Sequence, residues 1–227
     1  MKTKNDSGLL RLRSERNSVG LPKIQEMTEG YNFKSYNSVH KVNRAKGIPN
    51  FEPDFEAFFL SEDERLTSFL SATVIGVDIW GLIVNSSVKR IVQELRLPEH
   101  KFYEVGLLHG SKRINNYYWL HIPELDLGYI DFSHSEFVLQ DLVKDFKQPI
   151  SIKSREEYIS IKAKANKSLQ GVMAKRCVLK QKVEFDLFSL ETVGARFFIS
   201  HAFNLELEKK QITGYKVTPS NILVQPE

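Results

Sequence analysis

Residues 82–107 carry the tightest pattern in the chain. Leu82, Ile83 and Val84 form the kind of short apolar run that fills a buried strand. Asn85, Ser86 and Ser87 can each accept from a free helix N–H, and Val88, Ile91, Val92 and Leu95 recur at i, i+3, i+4 and i+7. The spacing predicts a strand running into a one-sided helix. Pro98, with no N–H to continue a helix, ends it; Phe102 to Leu108 reads as the next strand, closed by a turn at His109, Gly110 and Ser111.

The same order returns near the C-terminus. Arg196 to Ser200 reads as a strand, His201 to Gln211 as a helix using Phe203 and Leu207, and Gly214 to Thr218 as a strand. Ile83, Val84, Asn85, Ser86 and Val88 align with Phe198, Ile199, Ser200, His201 and Phe203 at a constant offset of 115. Tyr103, Glu104 and Val105 align with Tyr215, Lys216 and Val217 at 112, which assigns a three-residue difference to the loop around Pro98. Two copies are too few for a solenoid, so they predict two similar halves of one sheet.

The remaining segments are weaker. Ser61 and Glu64 have capping-box spacing ahead of a short helix through Leu66, Phe69 and Leu70. Asn116 to Ile122 alternates, with Tyr118, Leu120 and Ile122 on one face and Tyr117, Trp119 and His121 on the other. Strands are expected at Leu127 to Phe132, Glu136 to Leu142, Cys177 to Leu179 and Phe185 to Leu190. Ser154 and Glu157 open what reads as a helix, although Ile159, Ile161, Ala163 and Ala165 alternate as a strand would. Residues 1–50, rich in Lys, Asn, Ser and Gly, read as an irregular arm or cap with one strand at Tyr31 to Tyr36, ahead of an α+β domain over 51–227. The expected fold is α+β, a mixed and largely antiparallel sheet with a few short flanking helices.

With 41 % hydrophobic residues the chain has the means to build a core, which excludes a largely disordered protein. The single cysteine, Cys177, excludes an intramolecular disulfide framework and a cysteine-rich zinc module, and points to a reducing cytosol. The N-terminus lacks the apolar core of a secretory signal, and the longest apolar stretch, Ala72 to Val84, is interrupted by Asp78. A soluble cytoplasmic protein that does not engage a membrane is expected.

Catalytic signatures are missing. Neither phosphate-binding glycine motif occurs, H-E-x-x-H and G-x-S-x-G are absent, and the six histidines show no metal-ligand spacing. No cofactor or metal is expected. Ser133 beside His134 is not a dyad, and Asp131 with Ser133 reads as a turn or cap. Glu52, Asp54 and Glu56 could share a strand face but read as a solvated one.

Charge is unevenly distributed. The formal net charge is +4, yet residues 141–182 hold eleven basic and four acidic residues and the first twenty hold five and two, leaving −6 for the rest. A basic stretch of this kind can steer an acidic protein partner or neutralise phosphates. Its only aromatics are Phe146 and Tyr158, which gives poor support for stacking single-stranded nucleic acid.

The motifs also occur in a familiar order. Gly76-Val-Asp-Ile-Trp80, Leu82-Ile-Val-Asn-Ser86 and its helix, Tyr117-Tyr-Trp-Leu-His121 and Tyr129-Ile-Asp-Phe-Ser133 lead the series. Asp186-Leu-Phe-Ser-Leu190, Arg196-Phe-Phe-Ile-Ser200 and Thr213-Gly-Tyr-Lys-Val217 complete it. Together they resemble an immunity-protein family of bacterial polymorphic-toxin systems, immunity family eleven, long catalogued as a domain of unknown function. The resemblance covers roughly residues 70–218. The chain departs from the family at Ser200-His201-Ala202-Phe203-Asn204, where a charged residue and an aliphatic helix usually follow the serine. The resemblance implies a non-enzymatic protein that neutralises a cognate toxin domain by stoichiometric binding, and it carries over no catalytic residue. Lys153, Arg155, Tyr158, Lys162 and Lys164 are the expected toxin contacts. A nucleic-acid-binding module using residues 141–182, and an enzyme with a dispersed active site, are the rival readings.

Overall fold

The computed structural model describes residues 8–14, 26–27, 34–35, 47–54, 58–60, 62–70, 73–74, 77–78, 81–141, 146–168, 170–190, 192 and 196–225. The expected strand at Tyr31 to Tyr36 lies outside these, apart from Lys34 and Ser35, which sit in a turn and bend. In chain order the strands are β1 (Leu10–Ser14), β2 (Glu26–Met27), β3 (Phe58–Leu60), β4 (Phe69–Leu70), β5 (Thr73–Val74), β6 (Val77–Asp78), β7 (Leu82–Asn85) and β8 (Lys101–His109). They continue with β9 (Lys112–His121), β10 (Glu136–Asp141), β11 (Lys147–Ile150), β12 (Gln170–Leu179), β13 (Leu187–Leu190), β14 (Arg196–Ile199), β15 (Tyr215–Pro219) and β16 (Ile222–Val224). The helices are α1 (Ser86–Gln93), α2 (Arg155–Lys167) and α3 (His201–Lys209).

The fold is α+β and sheet-dominated, as the patterning predicts. One sheet runs β2-β3-β8-β9-β7-β4, a second β13-β14-β1-β15 and a third β11-β10-β12-β16, with β5 and β6 as a separate pair. Pairing is antiparallel except between β3 and β8 and between β12 and β16. Among the described residues no helix is long and apolar enough to cross a membrane.

The duplication is present and reaches further than the sequence pattern. In the first half β7 and β8 flank β9; in the second β14 and β15 flank β1. Leu120 of β9 lies opposite Leu82 and Phe102, and Leu12 of β1 lies opposite Phe197 and Val217, so both flanking strands keep the offset of 115. The expected slip to 112 is therefore corrected: the partner of Tyr103 in the other half is Thr218, not Tyr215. A repeated tyrosine suggested the wrong alignment, because strand register follows the ladder and not residue identity.

Other equivalences follow the same frame. Phe69 of β4 pairs with Val84 as Leu187 of β13 pairs with Ile199. The Asn85 N–H donates to Ser68 O at 2.9 Å, and the Ser200 N–H donates to Asp186 O at 2.9 Å. Leu107 pairs in parallel with Phe58, and Ile222 with Cys177. The two halves thus repeat the same strand arrangement, each with one helix. The expectation of two halves of one sheet is corrected: β7 and β8 pair around β9 in one sheet, β14 and β15 around β1 in another, and among the described residues no ladder joins them. The main difference is at Gly106 of β8, which lies opposite a bulge in β9: Asn115 and Asn116 span the interval that this one glycine spans. Its counterpart Asn221 lies in the break between β15 and β16, and its amide donates to Ala174 O and Lys175 O.

The halves share a core. Val88 and Val92 of α1, Phe203 and Leu207 of α3, Val84, Ile199 and Leu12 are all buried in it. Asn85 caps α1 by accepting from Ser87 N and Val88 N, and Ser200 caps α3 by accepting from Phe203 N. The outer face of the first sheet has its own core around Ile83, Tyr103 and Trp119, which gives β9 the two buried faces that its alternation predicts. A third core joins Phe188 and Phe198 of the second sheet to β10, β12 and α2.

Three expectations change. Residues 1–50 are not simply an arm, because β1 is an interior strand of the second sheet, with Leu12 only 2 % exposed. The segment through Leu66, Phe69 and Leu70 is no helix. Phe69 enters the shared core while Leu70 enters the outer one, and opposite faces require an extended backbone. Residues Leu127–Tyr129 form a 3-10 turn capped by Asp126, whose carboxylate accepts from Gly128 N, so the strand expected at Leu127 to Phe132 survives only as a bridge from Ile130 to Leu179.

Candidate binding surface

The basic stretch is organised by α2. Ser154 Oγ accepts from Glu157 N at 3.2 Å and the Glu157 carboxylate accepts from Lys153 N at 2.8 Å, which satisfies free donors at the positive end of the helix. Tyr158, Ile161, Lys162 and Ala165 fall at i, i+3, i+4 and i+7 and face β12 and the third core. Ile159, out of phase with them, points outward.

Of the five expected contact residues, the helix turns three out and two in. Lys153, Arg155 and Lys164 are exposed. Tyr158 is 1 % exposed, its ring 5.7 Å from Phe132 and 6.0 Å from Phe137. Its assignment as a contact residue is corrected: the helix's apolar face claims it for the core, and burial pushes its hydroxyl pKa up. Lys162 is half-buried. Burial lowers its pKa, while Glu124, whose own pKa burial raises, partly restores it.

Nearby carboxylates take up other cations. The two Arg155 Nη atoms bind the Asp126 carboxylate at 3.2 and 2.9 Å, and Arg176 lies 2.6 Å from Glu136. The sequence count of eleven bases therefore overstates the field, because Glu124, Asp126 and Glu136 lie just outside the window counted. Lys147, Lys153, Lys164, Lys175, Lys180 and Lys182 remain exposed, while Lys144 lies outside the described residues.

Two large apolar side chains are exposed in the same stretch of sequence. Phe146 is 61 % exposed and Ile159 is 50 % exposed. Asp141 N donates to Phe146 O, and by the alternation of β10 and β11 Phe146 falls on the side of the sheet that α2 covers. The helical phase of Ile159 was available from sequence once Tyr158 and Ala165 were assigned inward. The exposure of Phe146 was not, because it depends on the hairpin's position at the sheet edge.

That edge is a poor template for strand pairing. The pairs Asp141–Phe146, Leu139–Gln148 and Phe137–Ile150 share one hydrogen-bonding phase, so residue 149 directs its backbone away from β10. It is proline, which has no N–H to offer an incoming strand.

Asp131, Ser133 and His134 do meet, but as a turn. Ser133 Oγ donates to Asp131 Oδ1 at 2.6 Å, and His134 Nδ1 lies 2.7 Å from Oδ2, which the Gln225 amide also reaches. Ser133 Oγ lies 3.3 Å from that same Nδ1. A serine nucleophile must instead give its proton to the imidazole nitrogen turned away from the carboxylate. Burial of Asp131 opposes ionisation, but the bonds from Ser133 and His134 outweigh it and hold the carboxyl below its ordinary value. Glu52 pairs with Lys101, Asp54 lies in an isolated bridge, and Glu56 is outside the described residues.

No family model matches the chain, and no curated protein matches it.

Proposed function

We propose that this chain is a cytoplasmic binding protein that neutralises a bacterial toxin domain by forming a stoichiometric complex with it. The motif order in the sequence supports this reading. The residues that carry the resemblance, among them Asn85, Trp119, Asp131, Asp186 and Ser200, cap helices, fill cores or tie turns, which is the work of a scaffold.

The observation that carries the reading is the exposure of Phe146, beside β11, and of Ile159, on α2, in a basic stretch whose Lys147, Lys153 and Lys164 are exposed too. Exposed large apolar side chains within a basic stretch fit a protein partner whose interface has an apolar centre and an acidic rim. The apolar pair supplies affinity, and the lysines raise the encounter rate.

Co-expression with the product of the gene that neighbours this one, tested as the toxin, tests the proposal. The wild type should protect cells and co-purify with the toxin. Phe146→Ser with Ile159→Ser should abolish co-purification, and charge reversal of Lys147, Lys153 and Lys164 should slow association about tenfold and alter its salt dependence. Unchanged binding by both variants removes these residues from the interface. Absence of protection, combined with salt-sensitive binding to mixed-sequence DNA or RNA, transfers the lysines to the nucleic-acid reading.

A further inference from the structure

The two halves differ in where their middle strand comes from. In the first, β9 follows β8 through a two-residue turn in which Gly110 has a φ of +58°, so the strand is tethered beside its slot. In the second, the slot between β14 and β15 is filled by β1, from the opposite end of the chain. β1 is nonetheless held by side chains. Leu12 is buried in the shared core, with Leu10 packed against it, and Leu9 is buried in the third core. Arg11 Nη2 donates to Asn221 Oδ1 at 3.0 Å.

We propose that β1 is an exchangeable strand, and that the slot between β14 and β15 also receives β1 from a second copy of this chain, giving a strand-exchanged dimer. The register, the buried leucines and the Arg11–Asn221 bond are the same whichever copy supplies the strand. What distinguishes the monomer from the dimer is the tether. Eleven residues separate Ser14 from Glu26, where the chain enters the first half, and no short turn joins β1 to either neighbour in its own sheet. Exchange therefore replaces a long-range closure by association, and mass action favours it as concentration rises. The first half is a built-in control, since β9 cannot leave its slot without undoing its hairpin with β8.

Cysteine pairing in the full chain tests this. Arg11 lies opposite Thr218 in the β1–β15 ladder, and Glu104 opposite Tyr118 in the β8–β9 ladder. The double variant Arg11→Cys with Thr218→Cys should close a disulfide on oxidation, within the monomer or between the chains of an exchanged dimer. Failure to close overturns the slot itself. Chains carrying Arg11→Cys alone and Thr218→Cys alone, refolded together and then oxidised, should give a covalent heterodimer whose fraction rises with protein concentration. Chains carrying Glu104→Cys alone and Tyr118→Cys alone should give none. Exclusively uncrosslinked monomer from the first mixture at every concentration overturns the exchange, and equal crosslinking in both mixtures overturns it in favour of non-specific association.

Discussion

Replacing Leu12 by alanine separates an integral β1 from a loose arm. Leu12 is 2 % exposed and lies in the core shared by α1, α3 and the two sheets. The change removes three carbon groups, roughly 2.4 kcal/mol of transfer free energy at about 0.8 kcal/mol each. The incompletely collapsed cavity adds to this, giving about 3 kcal/mol within the usual range for Leu→Ala. For a chain of this length the melting temperature should fall by roughly 6–12 °C. In urea the midpoint should drop while the slope stays constant, because the surface exposed on unfolding barely changes. Leu66→Ala, at a site 43 % exposed, is the control and should stay within about 0.5 kcal/mol of wild type. A Leu12→Ala chain that unfolds with the control would show that β1 is not an interior strand, and the equivalence of the two halves would fail with it.

The two helix caps should behave as equivalents: Asn85→Ala and Ser200→Ala should each lower stability by about 1 kcal/mol in urea melts. Asp131→Asn should cost about 2 kcal/mol at neutral pH, since the ionised carboxylate accepts from Ser133, His134 and Gln225. Because the folded-state pKa of Asp131 lies below its unfolded value, this stability is present above the ordinary carboxylate range and lost as pH falls through the folded pKa, so the variant and wild-type melts should converge in acid. Cys177, fully buried and with its pKa pushed up to about 11, should resist alkylation at pH 8 in the folded chain and react on unfolding, a difference that mass spectrometry reads directly.

The candidate surface was legible only in part. That α2 is a helix follows from the Ser154 cap and the phase of Tyr158, Ile161, Lys162 and Ala165. Treating the neighbouring bases as one stripe ignored that phase, which sends Tyr158 and Lys162 inward. It also ignored Asp126 and Glu136, which meet Arg155 and Arg176 only because the turn before β10 and the β10 strand pack beside α2 and β12.

Local physics determined the rest of what the sequence disclosed. Caps, turn glycines, helix-breaking prolines and apolar periodicity act within a few residues, so α1, α3, β7, β8, β9 and the likeness of the two halves were readable from composition and spacing alone. The place of β1 was not. Three leucines around one arginine are too short a signal to name a slot formed by β14 and β15, nearly two hundred residues away. The tertiary structure decided it, along with the 115-residue register of both flanking strands. Burying Leu9 and Leu12 in two different cores, while satisfying the backbone of β1 on both edges, is possible only once the rest of the second sheet has assembled.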